Sequence, residues 1–251
     1  MMKFVSDEPA LFLDELETET LVISDLHIGI EYDLYKKGIS IPPRIEKQKK
    51  RIMDLVERTG ARRVVMLGDV KHNIPNMSLG EKKKMPGFFH EIEGKVEVWI
   101  VKGNHDGNIE KIASGAEIFP TDGARDGGFY FNHGHAWPSE EIWKSKVLVR
   151  GHSHPAVEFK DQLGFSSVLP CWLRGKIDRE KLAEKIEKPE ETELEEMIIV
   201  PAFSEMISGT PVNREEEESK IGPLLENDIV GLEEMDAYLL DGTFLGKVDE
   251  L

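Results

Sequence analysis

The chain has 251 residues, 39% of them hydrophobic and 32% charged, with a formal net charge of −16. That length and apolar content suffice for a substantial core and exclude global disorder. No run of about 18 apolar residues is present for a membrane span, the charge disfavours long polyanions as the main partner, and a lone cysteine, Cys171, excludes an intramolecular disulfide.

At the N-terminus Asp7 and Glu8 interrupt the apolar start Met1-Met2-Lys3-Phe4-Val5, against the pattern of a signal peptide, so the cytoplasm is the expected compartment. Residues 20–24 form a short β-rich apolar run that ends at Asp25-Leu26-His27. Over 43–59, Ile45, Ile52, Leu55 and Val56 fall at helical spacing, and Gly60 supplies a stop. Residues 63–67 read as a second buried strand ending at Gly68-Asp69 in the segment Gly68-Asp69-Val70-Lys71-His72, 81–91 as a helix, and 96–101 as a third strand ending at Gly103-Asn104-His105-Asp106. This alternation predicts a sheet with helices on its faces.

From Ala116 the pattern changes to closely spaced strands. A hairpin turn at 125–128 precedes a strand at 129–132 that feeds His133-Gly134-His135, and 146–150 feeds Gly151-His152-Ser153-His154. Later strands are expected at 156–159, 165–169, 197–203 and 237–240, the last followed by the turn Asp241-Gly242-Thr243. Residues 178–192 read as an acidic, partly helical insertion and 212–228 as a mobile loop. Cys171, flanked by Leu169, Pro170, Trp172 and Leu173, reads as a buried thiol. The expected fold is α/β: a two-sheet sandwich with flanking helices in a single domain over 1–251. Its motif-bearing core is about 20–155, and its C-terminal strands and acidic loops are about 156–251.

Seven of the eight histidines lie in the five short segments that follow these strands, and only His90 lies outside them. One histidine taken alone is most often a hydrogen-bonded structural residue. Five such segments in order, each at a strand end where α/β folds gather their ligands, point instead to one polynuclear metal site. None contains cysteine, so the donors are nitrogen and oxygen, and zinc-finger and iron–sulfur chemistry are excluded. Asp25 and His27 can chelate one ion from one side of a turning chain. Gly68 permits close backbone approach, which suits a bridging carboxylate at Asp69. Asn104 offers a neutral carbonyl oxygen, and His152 and His154 can face different ions if their loop bends.

The series Asp-x-His, Gly-Asp, Gly-Asn-His-Asp, His-Gly and Gly-His-x-His resembles that of the calcineurin-like metallophosphoesterase superfamily, over about residues 20–155. Asp25-Leu26-His27-Ile28-Gly29 and Val200-Pro201-Ala202-Phe203 are further similar to a prokaryotic branch related to the Mre11/SbcD nucleases. The resemblance implies the metallophosphoesterase sandwich and two divalent ions, with Mn²⁺ preferred and Fe, Zn or Ni as alternatives. Asp25, His27 and His154 would hold one ion, Asn104, His133 and His152 the other, and Asp69 would bridge. His105 would contact the phosphoryl oxygen and protonate the leaving group, with Asp106 orienting it. His135 would sit beside the ligands or face substrate; the family pattern says little about His72, which reads as a supporting or surface residue.

The implied reaction is phosphoester hydrolysis by in-line attack of a metal-bridging hydroxide, in a phosphodiesterase or nuclease. Alternatives of the same fold are a small-molecule phosphomonoesterase and a non-catalytic scaffold. The implied partner is a phosphoester, with single-stranded nucleic acid or a nucleotide as candidates, no membrane, and a homo-oligomer as an open option. The positive residues Lys36, Lys37, Arg44, Lys47, Lys49, Lys50, Arg51, Arg58, Arg62, Arg63 and Lys82 to Lys84 leave two readings: solvated faces paired with opposite charge, or a local patch that tracks phosphates.

Overall fold

Strands β3 (Thr20–Ile23), β4 (Arg63–Leu67) and β5 (Glu97–Val101) are apolar almost without interruption, because both of their faces are covered. In the computed structural model, which describes residues 1–72, 79–214 and 221–251, they run parallel at the centre of a first sheet. That sheet has the order β1-β2-β3-β4-β5-β6. Strands β1 (Met2–Phe4) and β2 (Leu11–Leu13) are antiparallel additions at one edge, and β6 (Glu117–Phe119) is at the other. The parallel crossovers carry α1 (Ile30–Lys36), α2 (Ile45–Thr59) and α3 (Leu79–Glu93).

The second sheet holds β7 (Ala124–Asp126), β8 (Phe129–Asn132), β9 (Val147–Arg150), β10 (Pro155–Lys160), β11 (Ser166–Lys176), β12 (Glu196–Ile199) and β13 (Thr210–Pro211), extended by β14 (Asp236–Leu239) and β15 (Phe244–Lys247). Successive side chains part to opposite faces. Val22, Val65 and Leu67 of the first sheet meet Phe129, Phe131, Val147, Val149 and Trp172 of the second in a central apolar layer. Leu21, Ile23, Val64 and Met66 turn outward onto Ile52 and Leu55 of α2 and Phe88 and Phe89 of α3. On the far side, Tyr130 and Leu148 join Leu173, Met197 and Leu225 in a third layer. The result is the predicted two-sheet α/β sandwich with flanking helices.

α2 buries Ile45, Ile52 and Leu55 and ends at Gly60, whose φ of 73° lets its N–H reach the Val56 carbonyl. The strand expected at 165–169 is longer. β11 runs through Pro170, tolerated because at this residue the strand pairs only with β10; pairing with β14 and β12 begins at Cys171 and Leu173. The strand expected over 197–203 stops at Ile199, and its continuation leaves the sheet so that Phe203 N–H donates to Ser24 O and Ser204 N–H to Asp25 O. Of the loop expected over 212–228, residues 215–220 lie outside the described residues. The rest is not a loop throughout: α5 (Pro223–Glu226) buries Pro223, Leu224 and Leu225. The insertion at 178–192 contains α4 (Arg179–Ala183), capped by the Asp178 side chain and anchored by buried Leu182. Cys171 is fully buried. No helix among the described residues is long and apolar enough to cross a membrane.

Candidate metal centre

The chain leaves β3, β4, β5, β8 and β9 at one end of the sandwich, and the loops that follow are laced together through their backbones. Asp25 N–H donates to Gly68 O at 3.2 Å, His27 N–H to Asp69 O at 2.8 Å and Gly151 N–H to His133 O at 3.0 Å. Such crossings leave no room for a Cβ. At Gly103 one would stand 2.3 Å from Asp69 N and Oδ1, and at Gly151 only 1.8 Å from Ser24 Oγ. The motif glycines are therefore where one loop rests on another. The side chains are aimed by unusual backbone: Asp25, His27, Asp69, His152 and His154 all have φ between 45° and 71°, a region that β-carbon-bearing residues rarely adopt.

Two compact donor groups result, Asp25/His27/His154 and Asp69/His133/His152, each able to offer one ligand atom per residue within 4.8 Å of the others. His154 Nε2 lies 3.0 Å from Asp25 Oδ1, and His133 Nε2 lies 3.4 Å from Asp69 Oδ1. Asp69 belongs to both neighbourhoods, since its Oδ2 is 3.7 Å from His27 Nε2 and 3.8 Å from His105 Nε2. A third group, His27/His72/His105, adjoins the first.

The donor set fits divalent ions on its own chemistry. His133 Nδ1–H donates to Leu67 O at 2.6 Å, which fixes the ring and aims Nε2 at Asp69, and Nε2 is buried without a hydrogen-bond partner. A carbonyl acceptor on one imidazole nitrogen with the other left for an ion is the usual arrangement of a ligating histidine. Charge balance agrees. Burial opposes ionisation of the Asp25 and Asp69 carboxyls, yet the histidines around them hold both below the usual range, Asp69 at about 2. Burial likewise opposes protonation of His133, but the Asp69 and Asp25 carboxylates override it and push the group up to about 9. His27 and His152 move the other way, to about 4 and about 3, because burial dominates. Without an ion, imidazole protons supply the charge that these carboxylates require.

The remaining predicted residues are differently placed. Asn104 is exposed, at the turn between Gly103 and His105. His105 is partly exposed; its Nδ1–H donates to His72 O at 2.5 Å, leaving Nε2 on the Asp69 side. Asp106 does not bond the His105 ring, the orienting role expected of it. Fully buried, it accepts from Gly103 N–H at 2.9 Å, Val70 N–H at 3.0 Å and Lys71 N–H at 3.3 Å, and so ties together the loops after β4 and β5. His135 lies beside His133 and His152, with ring centroids 5.3 and 5.8 Å away.

Three participants were not legible as such. His72, expected to be supporting or at the surface, is drawn in because its N–H donates to Ile28 O, and its Nδ1 is 3.2 Å from His27 Nδ1. Lys71 is buried and donates to the His105 carbonyl. Arg150, at the end of β9, is fully buried; it donates to Ser153 Oγ and Ile221 O, both at 2.9 Å, and its guanidinium fills the space that a Cβ on Gly134 would need. The available signal for each was position: a cation ending an apolar strand for Arg150, and a place three or four residues beyond Gly68 for Lys71 and His72.

Residues 18–179 match the sequence profile of the family described as calcineurin-like phosphoesterase. No match is found among curated proteins. Among solved structures, the Pseudomonas putida nuclease MPE is similar in fold, with a TM-score of 0.56 and 17% identity over 94% of this chain and 92% of that chain. The phosphoesterase YfcE from E. coli is 21% identical over 57% of this chain and 73% of that chain, with a TM-score of 0.35.

Proposed function

Because the chain belongs to the calcineurin-like phosphoesterase family, we propose that it hydrolyses phosphodiesters at a dinuclear divalent metal centre, with nucleic acid strands or nucleotides as the natural class. The observation that carries this reading is Asp69, whose Oδ1 faces His133 and whose Oδ2 faces His27. A carboxylate with one oxygen toward each donor group is what a shared ligand requires. Asp25, His27 and His154 would then hold one ion, and Asn104, His133 and His152 the other. An all-nitrogen and oxygen set without thiolate suits Mn²⁺ best, with Fe, Zn or Ni as alternatives. When bound, two such ions supply a lowered pKa for water and neutralise phosphoryl oxygens.

The chain's own groups do the rest. Ser24 Oγ–H and His152 N–H both donate to Asp25 Oδ2, at 2.6 and 3.1 Å, and hold that ligand still. His105, committed through Nδ1 to His72 O, presents Nε2 toward the centre from a partly exposed rim. There it carries a proton to the departing oxygen, a contribution of about 10²–10⁴-fold. Residues 1–251 act as one unit in this reading, because the central apolar layer draws on both sheets.

The test is hydrolysis of bis(p-nitrophenyl) phosphate by the Mn²⁺-loaded protein. Asp69→Asn is expected to remove activity together with bound metal, and His105→Ala to lower kcat by about 10²-fold or more while metal is retained. Full activity in either variant would overturn that residue's role. Fewer than one bound ion per chain after loading would overturn the reading as a whole.

A further inference from the structure

The helix that leaves the first motif has an unusual surface. α1 reads Ile30-Glu31-Tyr32-Asp33-Leu34-Tyr35-Lys36, and none of its residues is buried. Tyr32 and Tyr35, three apart, are neighbours on one helix face and are 44% and 66% exposed. Lys36 lies over the Tyr32 ring, its Nζ 4.3 Å from the centroid.

This face is joined to the candidate centre by a short chain of contacts. Lys36 Nζ donates to Asp33 Oδ1 at 2.9 Å, and Asp33 Oδ2 stands 3.4 Å from His72 Nε2. His72 in turn touches His27 and accepts from His105. One Lys–Asp pair thus separates the Tyr32 ring from the histidines of the site.

The other candidate for gripping substrate is weaker. Within the basic stretch of α2, Lys47 pairs with Glu205, Lys49 with Glu46 and Glu91, and Arg51 and Arg58 with Glu8. Just beyond it, Arg62 pairs with Glu19 and Arg63 with Glu97 and Asp126. A surface on which most of the basic groups are paired in this way, with Arg44 and Lys50 the exceptions in this stretch among the described residues, is a poor track for phosphates in a chain of net charge −16. Aromatic rings beside a lysine suit bases better, since every base has a π-face and stacking needs no net positive field.

We infer that α1 is a base-stacking platform for single-stranded nucleic acid: one base lies on the Tyr32–Lys36 pair, its neighbour on Tyr35, and the adjoining phosphate reaches the metal centre. The inference rests on the phosphodiesterase reading and gives that site its substrate class. The test uses Mn²⁺-loaded protein and a DNA oligonucleotide with nuclease-resistant phosphorothioate links and one 2-aminopurine, whose fluorescence falls on stacking. Wild type is expected to bind the strand and quench it. Tyr32→Ala/Tyr35→Ala should bind about 10-fold more weakly or worse and lose the quench. Tyr32→Phe/Tyr35→Phe should keep both, because the rings remain.

An unchanged Kd and quench in the double alanine variant would overturn the platform, as would failure of wild type to bind the strand. The two readings fail separately. Quenching that depends on the tyrosines, in a protein that hydrolyses neither an unmodified strand of the same sequence nor bis(p-nitrophenyl) phosphate, leaves the platform standing and removes the phosphodiesterase. Hydrolysis of bis(p-nitrophenyl) phosphate by wild type, with strand binding indifferent to both tyrosines, does the reverse.

Discussion

The two sheets contribute unlike halves to the centre. Loops after β3, β4 and β5 bring every carboxylate, Asp25, Asp69 and Asp106, together with His27, His72 and His105, whereas the second sheet brings to the centre only imidazoles, from the loops after β8 and β9, and the buried guanidinium of Arg150 from the end of β9. Neither half is satisfied alone. Asp25 takes a hydrogen bond from His152 N–H and a contact from His154 across the seam, and His133 closes on Asp69 while bonding Leu67 O. The lesson is that the site is an interface between halves of opposite charge preference, and that its strength lies in the fit between them.

The hardest blow to that fit is Gly151→Ala, which would drive a Cβ into Ser24 Oγ and Asp25 Oδ2 at the seam. It should cost about 3 kcal/mol or more in urea unfolding and lower metal content. Gly87→Ala, at an open position of α3, should instead raise stability by about 0.5–1 kcal/mol. Equal effects would mean that the seam is not tight. Arg150→Met tests the half from the second sheet alone. Stranding the Ser153 hydroxyl and the Ile221 carbonyl should cost about 2–3 kcal/mol and weaken metal binding about 10- to 100-fold, read by unfolding and by metal titration.

A smaller effect follows from the proton on His133. Its folded value of about 9 lies above the ordinary imidazole value, so in metal-free protein its stabilisation is fully present below about pH 6.5 and is lost as pH rises through about 9. A divalent ion must displace that proton, so metal binding should release protons and tighten over the same window. Metal-free protein should therefore lose stability from pH 7 to 9, while added Mn²⁺, worth about 2.7 kcal/mol at a hundredfold excess over Kd, should stabilise more at the higher pH. Parallel slopes with and without Mn²⁺ would contradict the exchange. The smallest effect is expected far from the seam: Cys171, buried and pushed up to about 12 by burial, should not react with a disulfide reagent until the chain unfolds.

Much of this was legible in the residues. Apolar runs ending in Asp, Asn, His and Gly fixed both the parallel core and the loops that carry the donors, because each motif needs only a few consecutive residues and a strand to root it. What escaped depends on contacts across the chain. His72 joins the site only because the bridge between Ile28 and Lys71 lays two loops side by side. Arg150 matters through Gly134 and Ile221, neither of which its neighbours in sequence reveal. The short helix α1 has no buried stripe to announce it. The basic residues near α2 admitted two readings until their carboxylate partners came from distant segments such as Glu8, Glu97 and Glu205.

The left-handed backbone at Asp25, His27, Asp69, His152 and His154 sets the terms on which this molecule can be improved. Each such residue costs of order 1–3 kcal/mol against a glycine that would accept the same angles freely. A search for more stable variants of the metal-free chain would therefore be drawn to these positions and would erase the donors one by one. Selection for thermal endurance has to be run with the ions present, or it will select against what the loops are for.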